Sequence, residues 1–183
     1  MELPFKKTSH VKVIEIIAQG MSRAGNLDNY LELGSRAGTC FNLISPLAKT
    51  AYAVEIRKEF FADIDKSKGN VKEFPMSTDD FFKAIDKNIK FDLVFIDANH
   101  HHESSLKDFK NVWKMVREGG IICMHDTYPP NEEFIKDHCH DCYKTAVHVR
   151  KYYSKKCEIV TLPFFYGVSI IRKVMDNHLI WKK

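Results

Sequence analysis

The sequence is most informative at residues 30–39, which read YLELGSRAGT. Residues 30–34 have the apolar character of a buried strand that ends in a glycine, and the periodicity that follows predicts a helix from Thr39 to Leu47. Glycine lets the backbone turn sharply and lets a ligand approach closely, and the start of the next helix offers free N–H groups to an anion. This order of strand, glycine loop and helix predicts a ligand site at the carboxyl end of the strand.

Short apolar runs and amphipathic stretches alternate along the rest of the chain. Further strands are predicted at Thr50–Glu55, Val71–Met76, Phe91–Asp97, Ile121–His125, Glu158–Leu162 and Gly167–Ile171. Further helices are predicted at Ser9–Met21, at Arg57–Ile64, after a Ser77 cap paired with Asp80, between Asp97 and Gly119–Gly120, and at Tyr143–Tyr153. Because the strands lack polar alternation, they should be covered on both faces. The pattern predicts a doubly wound α/β fold with a mainly parallel sheet, in which ligands bind beyond the carboxyl ends of the strands.

Length and composition restrict the class of protein. A chain of 183 residues with 44% hydrophobic and 28% charged residues is typical of one soluble globular domain, here residues 1–183 with an N-terminal helix at about 9–21 and a core at about 28–172. The longest run without a charged residue or histidine is Ile159–Ile171, which is too short to span a bilayer. With no visible signal peptide and an odd number of cysteines, five, we expect a cytoplasmic protein without a disulfide framework.

The glycine loop indicates which ligand it suits. A dinucleotide fingerprint would have a second glycine where Arg36 stands, and the Gly-Lys-Ser/Thr of a phosphate-binding loop is absent. Glu55 ends the second predicted strand, 21 residues after Gly34, where an acid can accept hydrogen bonds from two ribose hydroxyls. Together the loop and the acid indicate a bound nucleoside without a pyrophosphate. A purely structural glycine turn and a solvated glutamate remain the alternatives.

Acidic and imidazole side chains follow the fourth and fifth predicted strands. The first group is Asp97-Ala98-Asn99-His100-His101-His102-Glu103, and the second is His125-Asp126-Thr127. Because these strands should be neighbours, Asp97 and Asp126 are expected to face one crevice. Two carboxylates with nearby imidazoles could hold a divalent cation. The same groups could instead orient substrate hydroxyls or cap the next helices.

Two other segments suggest functions that we do not favour. Residues 138–142 read HCHDC, but a structural zinc site normally pairs two separated ligand clusters, and no second cluster is evident. We therefore predict no structural zinc site there. Residues 143–157 carry six basic or imidazole side chains and no acid, which could form a nucleic-acid-binding face. A solvated helix face is the favoured interpretation.

These motifs, in this order, resemble class I S-adenosylmethionine (SAM)-dependent methyltransferases. Residues 31–38 resemble the first motif of that family, Ala53-Val54-Glu55 its second-strand acid, Phe91–Asp97 its fourth-strand motif, and Val116–Ile122 the entry to its fifth strand. Residues 97–103, the later Asp108 and Met124-His125-Asp126 are similar to the small-molecule branch that includes macrocin-type O-methyltransferases and cephalosporin-hydroxylase-like proteins. The chain departs from that branch at Ala98 and Asn99, and it has Ser77-Thr78 where many methyltransferases have an adenine-contacting aspartate.

The resemblance implies a Rossmann-like sheet of seven strands with an antiparallel last strand, and SAM as the cofactor. The cofactor-binding residues that it implies are Glu32, Gly34, Ser35, Arg36, Gly38, Thr39, Glu55, Ile56, Ser77, Thr78, Asp79 and Asp97. The implied catalytic residues are Asp97, His100, His101 and His125, with a histidine as general base. Asp97, His125 and Asp126 are candidate ligands for Mg²⁺ or another divalent cation.

The activity that the resemblance implies is methyl transfer from SAM to a small hydroxylated molecule such as a sugar. A nucleic-acid methyltransferase and a non-catalytic SAM-binding or nucleoside-binding module are the alternatives. No membrane partner is expected, and nucleic acid is the less favoured acceptor. Because no insertion provides a substrate domain, the pocket should be open or completed by a second subunit in a homo-oligomer.

Overall fold

A computed structural model describes residues 9–174 of the chain. Its seven strands form one sheet in the order β3-β2-β1-β4-β5-β7-β6. The strands are β1 (Asn29–Leu33), β2 (Thr50–Val54), β3 (Val71–Phe74), β4 (Phe91–Ile96), β5 (Val116–His125), β6 (Cys157–Leu162) and β7 (Val168–Lys173). Pairing is parallel from β3 to β5, and β7 runs antiparallel to both β5 and β6. The predicted fold class, including the antiparallel last strand, is confirmed.

Helices cover both faces of this sheet. They are α1 (His10–Arg23), α2 (Phe41–Ile44), α3 (Thr78–Ala84), α4 (His102–Met115), α5 (Glu132–Asp137) and α6 (Tyr143–Tyr152), with 3₁₀ turns at Ser45–Leu47 and Lys58–Asp63. The Ser77 hydroxyl accepts the Asp80 backbone N–H at 3.1 Å and donates to its carboxylate at 2.8 Å, so the predicted cap of α3 is confirmed. None of the helices described is both long enough and apolar enough to cross a membrane.

The core has two layers because the side chains of the inner strands alternate between the two faces of the sheet. Along β4, Val94 and Ile96 face one layer, formed with α3, α4 and α6, while Leu93 and Phe95 face the other, formed with α1 and α2. All six residues of β4 are buried. Strands covered in this way have only their ends available for ligands. The site must therefore lie at the ends of the strands.

Three predictions about the helices are wrong. The helix after β4 ends at Met115, and β5 begins at Val116 and continues through Gly119–Gly120. These glycines lie within a register shift between β4 and β5, and Gly119 has a φ of +79°, so they belong to an irregular part of the strand and not to a helix C-cap. The predicted helix Arg57–Ile64 is a 3₁₀ turn, and the helix predicted for 39–47 is only α2 and a 3₁₀ turn, in which Pro46 lacks the N–H that a longer helix needs. Helix α5 was not predicted.

Gly34 fixes how the loop after β1 lies against the end of β4. Its φ is +85°, and a Cβ there would lie 2.8 Å from the Ala98 Cα and closer still to the Asp97 carbonyl. The Asp97 N–H donates to the Leu33 carbonyl at 2.9 Å, directly beside this contact. A side chain at residue 34 would therefore separate the two strand ends.

We predict that Gly34→Ala lowers the free energy of unfolding by more than the cost of placing an alanine at a positive φ. Gly25→Ala is the matched control, because Gly25 has a φ of +69° and a Cβ added there would have no atom within 4 Å. The control should cost about 1 kcal/mol from its left-handed backbone. Gly34→Ala should cost at least about 2 kcal/mol more, since the clash is with backbone atoms. Urea denaturation measures both, and equal losses in the two variants would contradict this account.

Candidate active site

A cavity of about 1310 Å³ lies at the carboxyl ends of β1, β2, β4 and β5. Every residue predicted from the sequence to bind cofactor, metal or substrate lines this cavity, with the exception of Gly38. Gly38 has a φ of +78° and shapes the turn behind the lining, where a Cβ would clash with the Asn42 side chain. The fold therefore brings together residues that are separated by up to 94 positions in the sequence, from Glu32 to Asp126.

Glu32 is buried at the base of the cavity, where it is 2% exposed. The Tyr30 hydroxyl donates a hydrogen bond to its carboxylate. Burial raises the pKa of Glu32 to about 8, although the hydrogen bond from Tyr30 acts in the opposite direction. A buried carboxylate of this kind is stabilised in its ionised form when a cationic ligand group arrives.

Glu55 joins two loops at the rim of the cavity. Its Oε2 accepts the Arg36 backbone N–H at 3.1 Å, and its Oε1 accepts that of Arg57 at 3.0 Å. The side chain is 6% exposed, and Arg36 has a φ of 43°. Both carboxylate oxygens keep further lone pairs for a ligand hydroxyl.

The backbone of the glycine loop is largely engaged within the protein. The N–H groups of Gly34 and Ser35 donate to the Val54 carbonyl, and that of Gly38 donates to the Ser35 carbonyl. These three N–H groups are therefore engaged within the protein. By contrast, the Ser35 hydroxyl is buried and has no hydrogen-bond partner among the described residues. Since buried hydroxyls are normally paired, it is the donor that a ligand would satisfy.

The start of α3 forms another wall of the cavity. Ser77, Thr78 and Asp79 lie there as predicted, but the Ser77 hydroxyl is used by the helix cap and Asp79 pairs with Lys107 at 2.6 Å. Asp108, which is 2% exposed, also lines the cavity although it was not predicted as a site residue. Burial raises its pKa to about 6, while a hydrogen bond from Thr78 lowers it.

The same cavity also contains a cluster centred on Asp97. The Asp97 Oδ1 lies 3.2 Å from the His125 Nδ1 and 3.5 Å from the His100 Nε2. The Asp126 Oδ2 lies 2.8 Å from the His100 Nδ1. Asp126 has a φ of 57°, which is uncommon for a residue other than glycine and is a feature of functional sites. The structure thus brings both aspartates into one crevice.

These contacts determine the charges in the cluster. Burial opposes ionisation of Asp97, but hydrogen bonds from His100 and His125 outweigh it and hold its pKa at about 2. Hydrogen bonds to Asp126 and Asp97 raise the pKa of His100 to about 10. Burial would lower the pKa of His125, yet the adjacent Asp97 raises it overall. The cluster therefore favours the protonated form of both imidazoles.

His10, which the sequence analysis did not single out, belongs to the same cluster. Its ring stacks on that of His125 with the centroids 3.8 Å apart, and its Nδ1 is buried without a partner among the described residues. Burial and then repulsion from His125 lower its pKa to about 4. The sequence offered no signal for this role, because His10 is simply the first residue of an amphipathic helix. Only the packing of α1 brings it to the strand ends.

The outer wall of the cavity is built from aromatic and imidazole rings. Phe165 and Tyr166 have φ values of 45° and 70°, and their rings lie 5.2 Å apart. His101, which is exposed, stacks on His140 with centroids 4.5 Å apart. These rings line the same cavity as the Asp97 cluster. They form a border of rings on the cavity that holds the Asp97 cluster.

The HCHDC segment, residues 138–142, packs against the Asp97 cluster. Cys139 and Cys142 are buried, and the Cys142 thiol donates to the His125 carbonyl at 3.5 Å. The His138 carbonyl lies 3.0 Å from the His100 Nδ1. Burial raises the pKa of both thiols to about 12, so they are held as neutral thiols. The absence of a structural zinc ion from this segment stays a prediction that elemental analysis can test.

Comparison with known proteins identifies the family. The sequence profile of a methyltransferase-domain family matches residues 31–127, more than half of the chain. The chain belongs to this methyltransferase family. The matched range begins in β1 and ends just after Asp126, so it includes both the glycine loop and the Asp97 cluster. A comparison with curated proteins finds no significant sequence match.

Solved structures share the fold of this methyltransferase at low sequence identity. One is an O-methyltransferase from Bacillus cereus in complex with SAH, with a TM-score of 0.68, 19% identity and coverage of 93% of this chain and 84% of that one. Another is the O-methyltransferase TomG from Streptomyces achromogenes in complex with SAM, with a TM-score of 0.70, 15% identity and coverage of 94% and 84%. The SAH-bound methyltransferase PaMTH1 from Podospora anserina has a TM-score of 0.69, 18% identity and coverage of 93% and 81%.

The charges of the cluster can be tested by following the histidine rings by NMR in metal-free protein. We expect His100 to titrate at about 10 and His10 at about 4. Because the pKa of His100 is raised in the folded state, its protonation stabilises the fold. This contribution to the free energy of unfolding is complete below a pH of about 6.5 and is lost as the pH rises to about 10. Asp126→Asn should lower the pKa of His100 and leave His148, on α6, unchanged. A His100 pKa near 6.5 in the parent protein would contradict the proposed charges.

Proposed function

We propose that this methyltransferase binds SAM and transfers its methyl group to a hydroxyl of a small molecule. The observation that carries the proposal is one cavity that holds two chemically different groups of residues. Glu55 and the glycine loop line one part of it, and the Asp97 cluster lines another, with Gly34 packed against Asp97 where the two parts meet. A nucleoside donor suits the first group, and a hydroxyl that must lose a proton suits the second.

In this proposal the cofactor lies along the ends of β1 and β2. Glu32 accepts from the methionine ammonium, and the unpartnered Ser35 hydroxyl donates to the methionine carboxylate. Glu55 accepts from the ribose hydroxyls. The adenine lies between the start of α3 and Ile56, an apolar side chain that is 66% exposed. Asp97 lies beneath the reacting methyl group. The SAM and SAH complexes of similar fold support this assignment of the cofactor.

Methyl transfer needs alignment and removal of one proton. The acceptor oxygen attacks the methyl carbon in line with the sulfonium, the carbon–sulfur bond breaks, and its electron pair stays on sulfur. The sequence offers His100, His101 and His125 as the base. His100 is the best placed of the two that contact Asp97, since its side chain is 31% exposed against 8% for His125. Because the pKa of His100 is about 10, the neutral imidazole that can act as a base is the minor form at neutral pH. It becomes more abundant as the pH rises.

The donor set of the cluster also fits a divalent cation. The His125 Nδ1 lies 3.2 Å from an oxygen of Asp97 and 3.5 Å from an oxygen of Asp126, so each aspartate has one carboxylate oxygen near this imidazole nitrogen. When bound there, such a cation would lower the pKa of the acceptor hydroxyl. The residues would then hold the ion and orient the acceptor beside the methyl group.

The position of the basic segment favours a small-molecule acceptor over nucleic acid. Residues 143–157 contribute none of the residues that line the cavity in the described part of the chain. Lys144 pairs with Asp141 at 3.1 Å, so part of this charge is already compensated. A nucleic-acid acceptor would need a basic surface that leads to the reacting methyl group. That the pocket is open, or is completed by a second subunit of a homo-oligomer, stays a prediction.

The assignment of Glu55 predicts a loss of cofactor affinity. Loss of one partner of a buried charged hydrogen bond costs about 2–5 kcal/mol, so Glu55→Ala should weaken SAM and SAH binding by about 30-fold or more. Glu118→Ala is the control, because Glu118 lies near the opposite, amino end of β5. Calorimetry measures both, with thermal melting to verify folding. Unchanged affinity in folded Glu55→Ala would remove the support for this cofactor site.

The raised pKa of Glu32 predicts a pH-dependent cofactor affinity. With its pKa at about 8, the carboxyl must lose a proton before it can pair with the methionine ammonium. SAM affinity should therefore increase by about tenfold per pH unit as the pH approaches 8 from below. In Glu32→Gln this slope should disappear while the folded state persists. A flat profile in the parent protein would show that Glu32 does not bind the ammonium.

The Asp97 cluster should affect turnover much more than donor binding. Removing a general base typically costs about 10²–10⁴-fold in rate, so His100→Ala and Asp126→Ala should lower methyl transfer by such factors while SAM affinity changes little. His148→Ala controls for loss of an imidazole elsewhere. The rate of the parent should still rise with pH above neutrality, towards the pKa of His100. Full activity of both cluster variants on the true acceptor would exclude this crevice as the reaction site.

A further inference from the structure

Helix α1 adds a histidine to the Asp97 cluster that neither the sequence motifs nor the family resemblance assigns. We propose that His10, Asp97 and His125 form a binding site for a transition-metal ion that prefers imidazole nitrogen, of the zinc and cobalt class. One ligand atom from each of the three residues lies within 4.8 Å of the other two. The three residues come from α1, the end of β4 and the end of β5.

The hydrogen bonds of His125 leave one ring nitrogen for a cation. Its Nε2 lies 2.8 Å from the Phe165 carbonyl, which can only accept, so this nitrogen carries a hydrogen. The other nitrogen, Nδ1, lies 3.2 Å from the Asp97 Oδ1. In a neutral ring, the lone pair of Nδ1 would then face a carboxylate oxygen. That arrangement requires a positive charge between or beside the two atoms, either a proton or a metal ion.

His10 supplies a second imidazole in the same place. Its Nδ1 is buried and has no partner among residues 9–174, which is uncommon for a buried polar atom. Its ring is stacked 3.8 Å from that of His125, so two protonated rings would repel each other. A neutral His10 that offers the lone pair of its Nδ1 to a shared ion would give this unpaired atom a partner.

The composition of the site selects the class of ion. Two imidazoles with one carboxylate suit zinc, iron, cobalt or nickel, whereas Mg²⁺ prefers oxygen ligands. The hydrogen bond from the His125 Nε2 to a backbone carbonyl is the outer contact that metal-bound histidines usually make. The neighbouring group of Asp97, His100 and Asp126 shares only Asp97 with this site and leaves His100 for proton transfer. The ion would thus lie beside the reacting end of the cavity.

The role of such an ion in catalysis rests on the proposed function, but its binding does not. Binding can be measured with metal alone, without SAM or an acceptor. Failure to bind metal would overturn the metal site and leave methyl transfer standing. Failure of Glu55→Ala to weaken SAM binding would overturn the proposed cofactor site and leave the metal site standing.

The experiment uses full-length protein without an affinity tag, stripped with a chelator. Calorimetry with Co²⁺, Zn²⁺ and Mg²⁺ should give one tight site for cobalt and zinc and much weaker binding of magnesium. Loss of a ligand should weaken cobalt binding by at least the roughly 10–100-fold that is typical of losing an outer contact. We therefore expect this loss in His10→Ala, and in Asp97→Asn as a second variant. His148→Ala should bind cobalt like the parent, and circular dichroism verifies that each variant is folded.

The visible and near-ultraviolet spectrum of the cobalt complex separates this site from the HCHDC segment. Cobalt held by nitrogen and oxygen should show d–d bands without a thiolate-to-cobalt charge-transfer band, and Cys139→Ser should leave the spectrum unchanged. A charge-transfer band that disappears in Cys139→Ser would overturn the proposal, because the ion would then lie on the cysteines. Absence of tight cobalt binding, or parental affinity in folded His10→Ala, would also overturn it, and protons alone would account for the cluster.

Discussion

The close contact between the ends of β1 and β4 is the constraint on which the rest of the site depends. At Gly34 the backbone turns with a positive φ against Asp97 and Ala98, and there is no space for a side chain. This contact sets the glycine loop beside the end of β4, so that Glu32 and Asp97 line the same cavity. The relative position of the glycine loop and the Asp97 cluster therefore depends on backbone packing and not on flexible side chains.

Asp97 has two roles because of this position. Its backbone N–H completes the contact with Leu33, and its carboxylate lies at the centre of the imidazole cluster. A partly buried carboxylate is costly unless it is compensated. Here His100 and His125 provide the compensation, and Asp126, in a left-handed conformation, provides a second carboxylate for His100. The same electrostatic balance that makes burial tolerable creates groups that can exchange a proton or hold a cation.

Much of the fold could be predicted because its signals are local. The apolar run of β4 predicts a strand buried on both faces, and all six of its residues are buried. The Ser77 cap is predicted from a hydroxyl and an acid three residues apart, and both of its hydrogen bonds are present. The errors occur where local signals compete with pairing. Gly119 and Gly120 would end a helix in isolation, but β5 pairs with β4 on both sides of them, at Val116 and at Ile121.

Spacing along the chain was sufficient to predict the succession of strands and helices, the glycine loop, and the acids and histidines that follow the strands. How these residues act on one another depends on the packing of the folded chain. The N–H groups of Gly34 and Ser35 are taken up by Val54, and the Asp97 cluster holds His100 protonated. His10 reaches His125 across 115 positions of sequence. No local pattern predicts such a contact, because it depends on the packing of α1 against the carboxyl ends of strands that are distant in the sequence.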